Sequence, residues 1–287
     1  MMDAPQDDPG PDVPSGLRSQ NGPNWSDLTS RFLSGAVLII LGALLLISSG
    51  IWLRVGVSVI CGGMMWELAQ LTGWRHQELH SPRHPVLIGI LSALTLLAML
   101  TMPGDWPLIL ILVPIVLGFA GTHSHQRTAY ALATVAILLA GYSLVVLIEV
   151  MGLGTTLWVI AVVILSDVLG YFAGRKFGGP KLWPAISPKK TWSGTVAGWI
   201  GATALGIVLV LSDQVGWSAV FIGPVLAIFG QAGDIAESWL KRRVGVKDSS
   251  NLIPGHGGLL DRFDAMSGAL LAALLFMFAG ILPVVGG

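Results

Sequence analysis

The chain has 287 residues, 53% hydrophobic and only 11% charged, with a mean hydropathy of +0.75, against the roughly 25% charged residues of a soluble globular domain. Its formal net charge is zero, so it lacks the global basic field that nucleic-acid binders use, and no nucleic-acid partner is expected. A single cysteine, Cys61, excludes an intramolecular disulfide.

From the start of the chain, residues 1 to about 30 are rich in Pro, Gly, Asp, Asn and Ser and lack the charged-then-apolar order of a cleavable signal peptide. They read as a disordered cytoplasmic tail. Apolar stretches of membrane-crossing length then follow at 33–50, 54–72, 86–102, 106–121, 128–151, 155–174, 193–212, 217–234 and 265–284. The expected fold is therefore an all-α, polytopic integral membrane protein of about nine transmembrane helices. Residues 31–152 form a scaffold, and residues 153–287 carry the polar motifs.

Within the scaffold, Cys61 reads as a small buried hydrophobe. Glu149, one turn from an outer boundary, is expected to snorkel to water, and Glu67, about one turn from the cytoplasmic end of its span, is not counted in the site. His76, His80, His84, His123 and His125 fall in short loops and read as solvated. Tryptophans such as Trp52, Trp74, Trp106 and Trp217 sit near span ends, as an interfacial belt requires.

Placing the N-terminus inside puts every basic residue except Arg54 on the cytoplasmic side. The two loops richest in charge, 175–191 and 235–264, are separated by two spans and so share a side. The expected location is the inner membrane, with the site at the cytoplasmic face of the C-terminal half; the reading also admits a homodimer.

Beyond residue 152 the polar residues gain a chemical pattern. Asp167 lies about eight residues before Arg175, roughly 12 Å into its span, and an ionisable group at that depth indicates function or a buried partner. In Ser187-Pro188-Lys189-Lys190-Thr191, Pro188 stops any preceding helix and the run serves as an N-cap for the span beginning near Trp192. Two adjacent lysines at a helix N-terminus oppose its dipole, which suggests an anionic ligand compensating them.

The stretch from Asp234 to Asp264 combines five basic residues, five acids and a Pro-Gly-His-Gly-Gly turn. Read as helix, Asp234, Ser238 and Lys241 share one face, with Glu237 beside them, and Asp261 and Asp264 point together at the start of the last span. The glycine turn lets backbone N–H groups approach phosphate oxygens, and His256 within it is favoured as a phosphate contact over a base. Paired carboxylates suit a hard cation such as Mg²⁺, and lysines and arginines suit phosphate.

Ser238, Leu240, Lys241, Arg242, Lys247, Asp248, Ser250, Ile253, Pro254, His256 to Leu259 and Asp261 to Asp264 stand where the signature of phosphatidate cytidylyltransferases places them. A second block, Ser166-Asp167, Tyr171-Phe172, Gly174-Arg175, Phe177-Gly178 and Ser187 to Gly194, resembles the same family, with Ser193 where many members carry Glu. The resemblance implies a nucleotidyltransferase that converts CTP and phosphatidic acid into CDP-diacylglycerol and pyrophosphate at the lipid bilayer, with Mg²⁺ and room for a second cation. The implied catalytic residues are Asp234, Ser238, Lys241, Asp248, Asp261 and Asp264; Asp234, Asp261, Asp264 and Asp167 hold metal. Substrate contacts fall to Lys189, Lys190, Thr191, Arg242, Lys247, His256, Gly257, Gly258 and Arg262. Two rivals stand beside this reading: a CTP-dependent lipid kinase, and a transporter using intramembrane charge, which would spread polar residues through both halves.

Overall fold

The computed structural model describes residues 25–73, 83–104, 106–253, 255 and 257–286, with side chains at 25–32 and 83 excepted. The expected tail before residue 25, Trp74, Arg75, His76 and His80, and both Pro254 and His256 of the glycine turn lie outside the described residues.

In chain order the helices are α1 (Trp25–Ile47), α2 (Ile51–Thr72), α3 (Arg83–Thr101), α4 (Leu112–Phe119), α5 (Arg127–Val146), α6 (Gly152–Phe177), α7 (Trp192–Leu211), α8 (Ser218–Arg243) and α9 (Leu260–Phe278). Each expected span corresponds to one of them, but the fourth is not a continuous α-helix. There a 3₁₀ segment, Trp106–Ile111, precedes the eight residues of α4; Pro107 and Pro114 lack the N–H groups that a regular ladder would use. Five stretches among the described residues are long and apolar enough to cross a membrane: 51–72, 84–101, 124–177, 192–211 and 218–243. The third holds both α5 and α6, with a π-helical turn at Leu147–Met151 and Gly152 at φ 85° between them.

The all-α expectation needs one addition. An antiparallel hairpin, β1 (Lys181–Trp183) with β2 (Ser187–Thr191), joins α6 to α7. Thr191 ends β2 and caps α7, its Oγ1 accepting from the Gly194 N–H at 3.2 Å, as the N-cap reading requires. Ser193 has a structural partner as well, since its hydroxyl donates to the Gly178 carbonyl at the end of α6.

The core lies in two clusters. One gathers Leu53, Met65 and Leu68 of α2 with Tyr130 and Leu138 of α5; Cys61 is buried in it, as expected. The other gathers Trp158 and Val159 of α6, Leu226 of α8, and Ala269 and Ala273 of α9. Outward faces stay apolar, with Trp52, Leu211, Phe221 and Phe278 more than 70% exposed, a surface suited to lipid rather than water. Helices approach through small residues, as in membrane bundles: a Cβ on Gly62 of α2 would lie 2.8 Å from the Gly89 carbonyl of α3.

One expected snorkelling residue is paired instead. Glu149 accepts two hydrogen bonds of 2.9 Å from the Arg54 guanidinium, because a bidentate partner from α2 stands within reach. This pair also accounts for Arg54, the one basic residue that the charge asymmetry leaves on the opposite side.

Candidate active site

α8 and α9 touch where Gly233 meets Gly268; a Cβ on Gly233 would overlap the Asp264 carbonyl. The contact brings Asp234 and Asp264 within electrostatic reach of each other. Lys190, carried in by β2, pairs with Asp234, and its charge also reaches Asp264 and Asp167 of α6. One ammonium therefore pairs with Asp234 and exerts a weaker field on two aspartates of other helices. Ser238, one turn after Asp234, donates to its Oδ1 at 3.3 Å, as their i, i+4 spacing indicates. Beneath them, Gln231 of α8 donates to Ser166 of α6 at 3.1 Å and to the Thr195 carbonyl of α7 at 3.3 Å, joining the walls.

Asp261 and Asp264 precede the apolar stretch of α9. Burial, together with the negative charge of Asp234, pushes the Asp264 carboxyl up to about 7. Adjacent acids that oppose one another's ionisation mark a site short of positive charge.

A second group stands beside the first. Lys241 pairs with Glu237 one turn earlier and with Asp261 Oδ1 at 2.6 Å. Asp261 Oδ2 accepts from the Ser249 N–H and hydroxyl, both at 2.8 Å, and from the Gly258 N–H at 2.9 Å. Burial raises this carboxyl, but the Lys241 bond and then the Gly258 and Ser249 N–H groups outweigh it and hold it at about 2. Asp261 is thus committed to the loop's internal bonds, whereas Asp167, Asp234 and Asp264 gather around Lys190.

Glu67 of α2, left out of the site in the sequence reading although near the cytoplasmic end of its span, belongs to this region. It is fully buried and accepts from Ser250 Oγ at 2.6 Å, Leu260 N at 2.7 Å, Leu259 N at 2.9 Å and Ser249 Oγ at 3.1 Å. A carboxylate near the cytoplasmic end of a span was the available signal; its partners lie 182 to 193 residues later, and no local spacing links them. Gly258 packs against this carboxylate, and a Cβ there would lie 2.5 Å from Glu67 Oε1. Gly257, at φ 80°, bridges back to Ile253, whose N–H donates to its carbonyl at 2.8 Å. Glu237, read only as a neighbour on the α8 face, proves to be a buried partner of Lys241.

The remaining sequence candidates lie mostly on the surface. Lys189, Arg242, Lys247, Asp248 and Arg262 are exposed, with Arg242 donating to the Val246 carbonyl at 3.0 Å. Asp248 joins neither carboxylate group in the described contacts. Thr191 is buried as the α7 cap.

Among the described residues, no three acidic, imidazole or thiol side chains stand close enough to ligate one ion. Asp167, Asp234 and Asp264 have the hard carboxylate oxygens that Mg²⁺ takes, but the structure does not bring the three together as one ligand set.

A helical bundle of membrane-crossing length, with acids and lysines collected where its loops meet, defines a polytopic membrane protein with an ion-rich site at one end. The cytidylyltransferase family model matches residues 29–280, and the chain belongs to that family. A phosphatidate cytidylyltransferase of Brucella abortus is 46% identical over 135 residues, 46% of this chain and 49% of the relative. That of Staphylococcus haemolyticus is 36% identical over 192 residues, 62% of this chain and 74% of the relative, and that of Staphylococcus saprophyticus 39% over 145 residues, 50% and 56%. The chain thus spans about half the length of the Brucella relatives it matches.

Proposed function

We propose that the protein is a phosphatidate cytidylyltransferase, joining CTP and phosphatidic acid to form CDP-diacylglycerol and pyrophosphate. The observation that carries the reading is the convergence of Asp167, Asp234 and Asp264 on Lys190, beside a glycine loop whose N–H groups are already ordered by carboxylates. The lipid phosphate oxygen attacks the α-phosphorus of CTP, and the bond to the β-phosphate oxygen breaks. Asp234 and Asp264, with Asp167 on the facing helix, would hold Mg²⁺, which when bound would supply charge neutralisation to the leaving pyrophosphate. Lys190 is positioned to trade its carboxylate for a phosphate oxygen, while Lys189, Arg242, Lys247 and Arg262 on the surface meet the polyphosphate. Lys241, held between Glu237 and Asp261, fixes the loop that faces it.

An apolar groove beside the site offers the lipid a berth. A groove of about 870 Å³ runs between α5, α8 and α9, lined by Leu132, Ala136, Leu271 and Leu275, with Glu237 and Asp264 also on its wall. From Ser267 to Leu275 it follows roughly 12 Å of the apolar stretch of α9, somewhat less than half of a ~30 Å hydrocarbon core. The site faces the cytoplasm, where CTP is available, and the chain crosses the inner membrane nine times.

Supplying purified protein with phosphatidate and CTP labelled at the α or the γ phosphorus tests the reaction. Label from the α position is expected in lipid, with unlabelled lipid from the γ-labelled substrate. Transfer of γ label would instead indicate a lipid kinase, and absence of both would overturn the assignment.

A further inference from the structure

We infer that Glu67, on the second helix of the scaffold, is a positioning residue that sets the Asp261 carboxylate and the 249–260 loop for the reaction. The inference rests on the proposed function for its kinetic readout, but not for its structural one.

Among the described residues no basic side chain pairs with Glu67, and burial of a lone carboxylate is costly unless hydrogen bonds replace water. Here four donors do so. Two are the N–H groups of Leu259 and Leu260, at the start of α9, where the helix leaves N–H groups unpaired and its dipole favours negative charge. The other two are the hydroxyls of Ser249 and Ser250.

Ser249 makes the connection to Asp261. Its hydroxyl lies 3.1 Å from Glu67 Oε2 and 2.8 Å from Asp261 Oδ2, and it has one proton for the two carboxylates. Its N–H also donates to Asp261 Oδ2. Asp261 in turn orients Lys241, so a chain of bonds runs from α2 through Ser249 and Asp261 to Lys241 on α8. Gly258 allows the approach, being in contact with both Ser249 and Glu67. The scaffold therefore fixes the loop directly instead of only surrounding it.

Replacing Glu67 with Gln keeps the shape but turns one acceptor oxygen into an NH₂ group facing N–H and O–H donors. In protein free of metal and substrate, amide exchange at 249–260 should accelerate about tenfold or more in Glu67→Gln, with α6 and α7 unchanged. Per folded molecule, kcat should fall at least tenfold and the Mg²⁺ activation midpoint should rise, with KM for CTP changing less. Ser249→Ala, which cuts the bridge but retains Glu67, tests the same chain should Glu67→Gln fail to fold; it should lower kcat and leave the exchange of Leu259 and Leu260 slow. Unchanged loop exchange in Glu67→Gln, or acceleration spread through the whole bundle, overturns the inference. So does normal kcat and Mg²⁺ dependence in Ser249→Ala. A wild-type protein inactive with CTP and phosphatidate would reject the proposed reaction while leaving the exchange result to decide the role of Glu67 in the loop.

Discussion

At the scale of single residues, Asp264 links the site's charge to a measurable pH dependence. Its carboxyl is raised to about 7 in the folded protein, whereas an unfolded aspartate releases its proton near ~3.9. Between about pH 4 and 7 the folded state therefore binds more protons, so stability falls as pH rises across that window. Thermal unfolding in cation-free detergent solution should show a declining Tm from pH 4 to 7.5, and Asp264→Asn should make that decline shallower without abolishing it. A flat or rising wild-type profile would count against the crowding of Asp264 by Asp234. Helical spacing made part of this legible: it put Asp234 with Ser238 on α8, and Asp261 with Asp264 at the start of α9. It did not separate their roles, because the donors that occupy Asp261 come from Ser249 and Gly258 in a nonhelical loop.

Elements explain why those side chains keep their positions. The hairpin was invisible to a search for apolar helices, since Lys181–Trp183 and Ser187–Thr191 are too short and too mixed to give a strand pattern. Yet the hairpin is what brings Lys190 to Asp234. The glycine loop was legible as a close-approach motif, and the approach proves to be toward Ser249 and Glu67. Gly258→Ala places a methyl group into that contact, so the loop must shift. A displacement of about 1 Å can cost on the order of 10²-fold in rate. Turnover should fall by about that factor with little change in Tm, measured side by side on purified protein; activity within twofold of wild type would show that the loop tolerates the shift.

For the whole molecule, Lys190, Asp234, Glu67 and the 249–260 loop meet at one end of the bundle, while Arg54 and Glu149 pair away from them. The two spans between the basic loops implied that they share a side, but the Arg54–Glu149 pair was hidden by 95 residues of separation. Sidedness can be measured in a Cys61→Ser background with single cysteines at exposed Ala185 and Asn251. Both should resist a membrane-impermeant thiol reagent in intact cells and react after lysis; labelling without lysis would invert the topology. Glu67 adds a consequence in time. Its hydrogen-bond partners are synthesised 182 to 193 residues after it, a delay of roughly 10–40 s at translation rates of about 5–20 residues per second. Throughout that interval α2 holds an acid whose final donors do not yet exist, so the nascent helix must keep Glu67 near water, and α9, made late, completes a bond begun by one of the first helices.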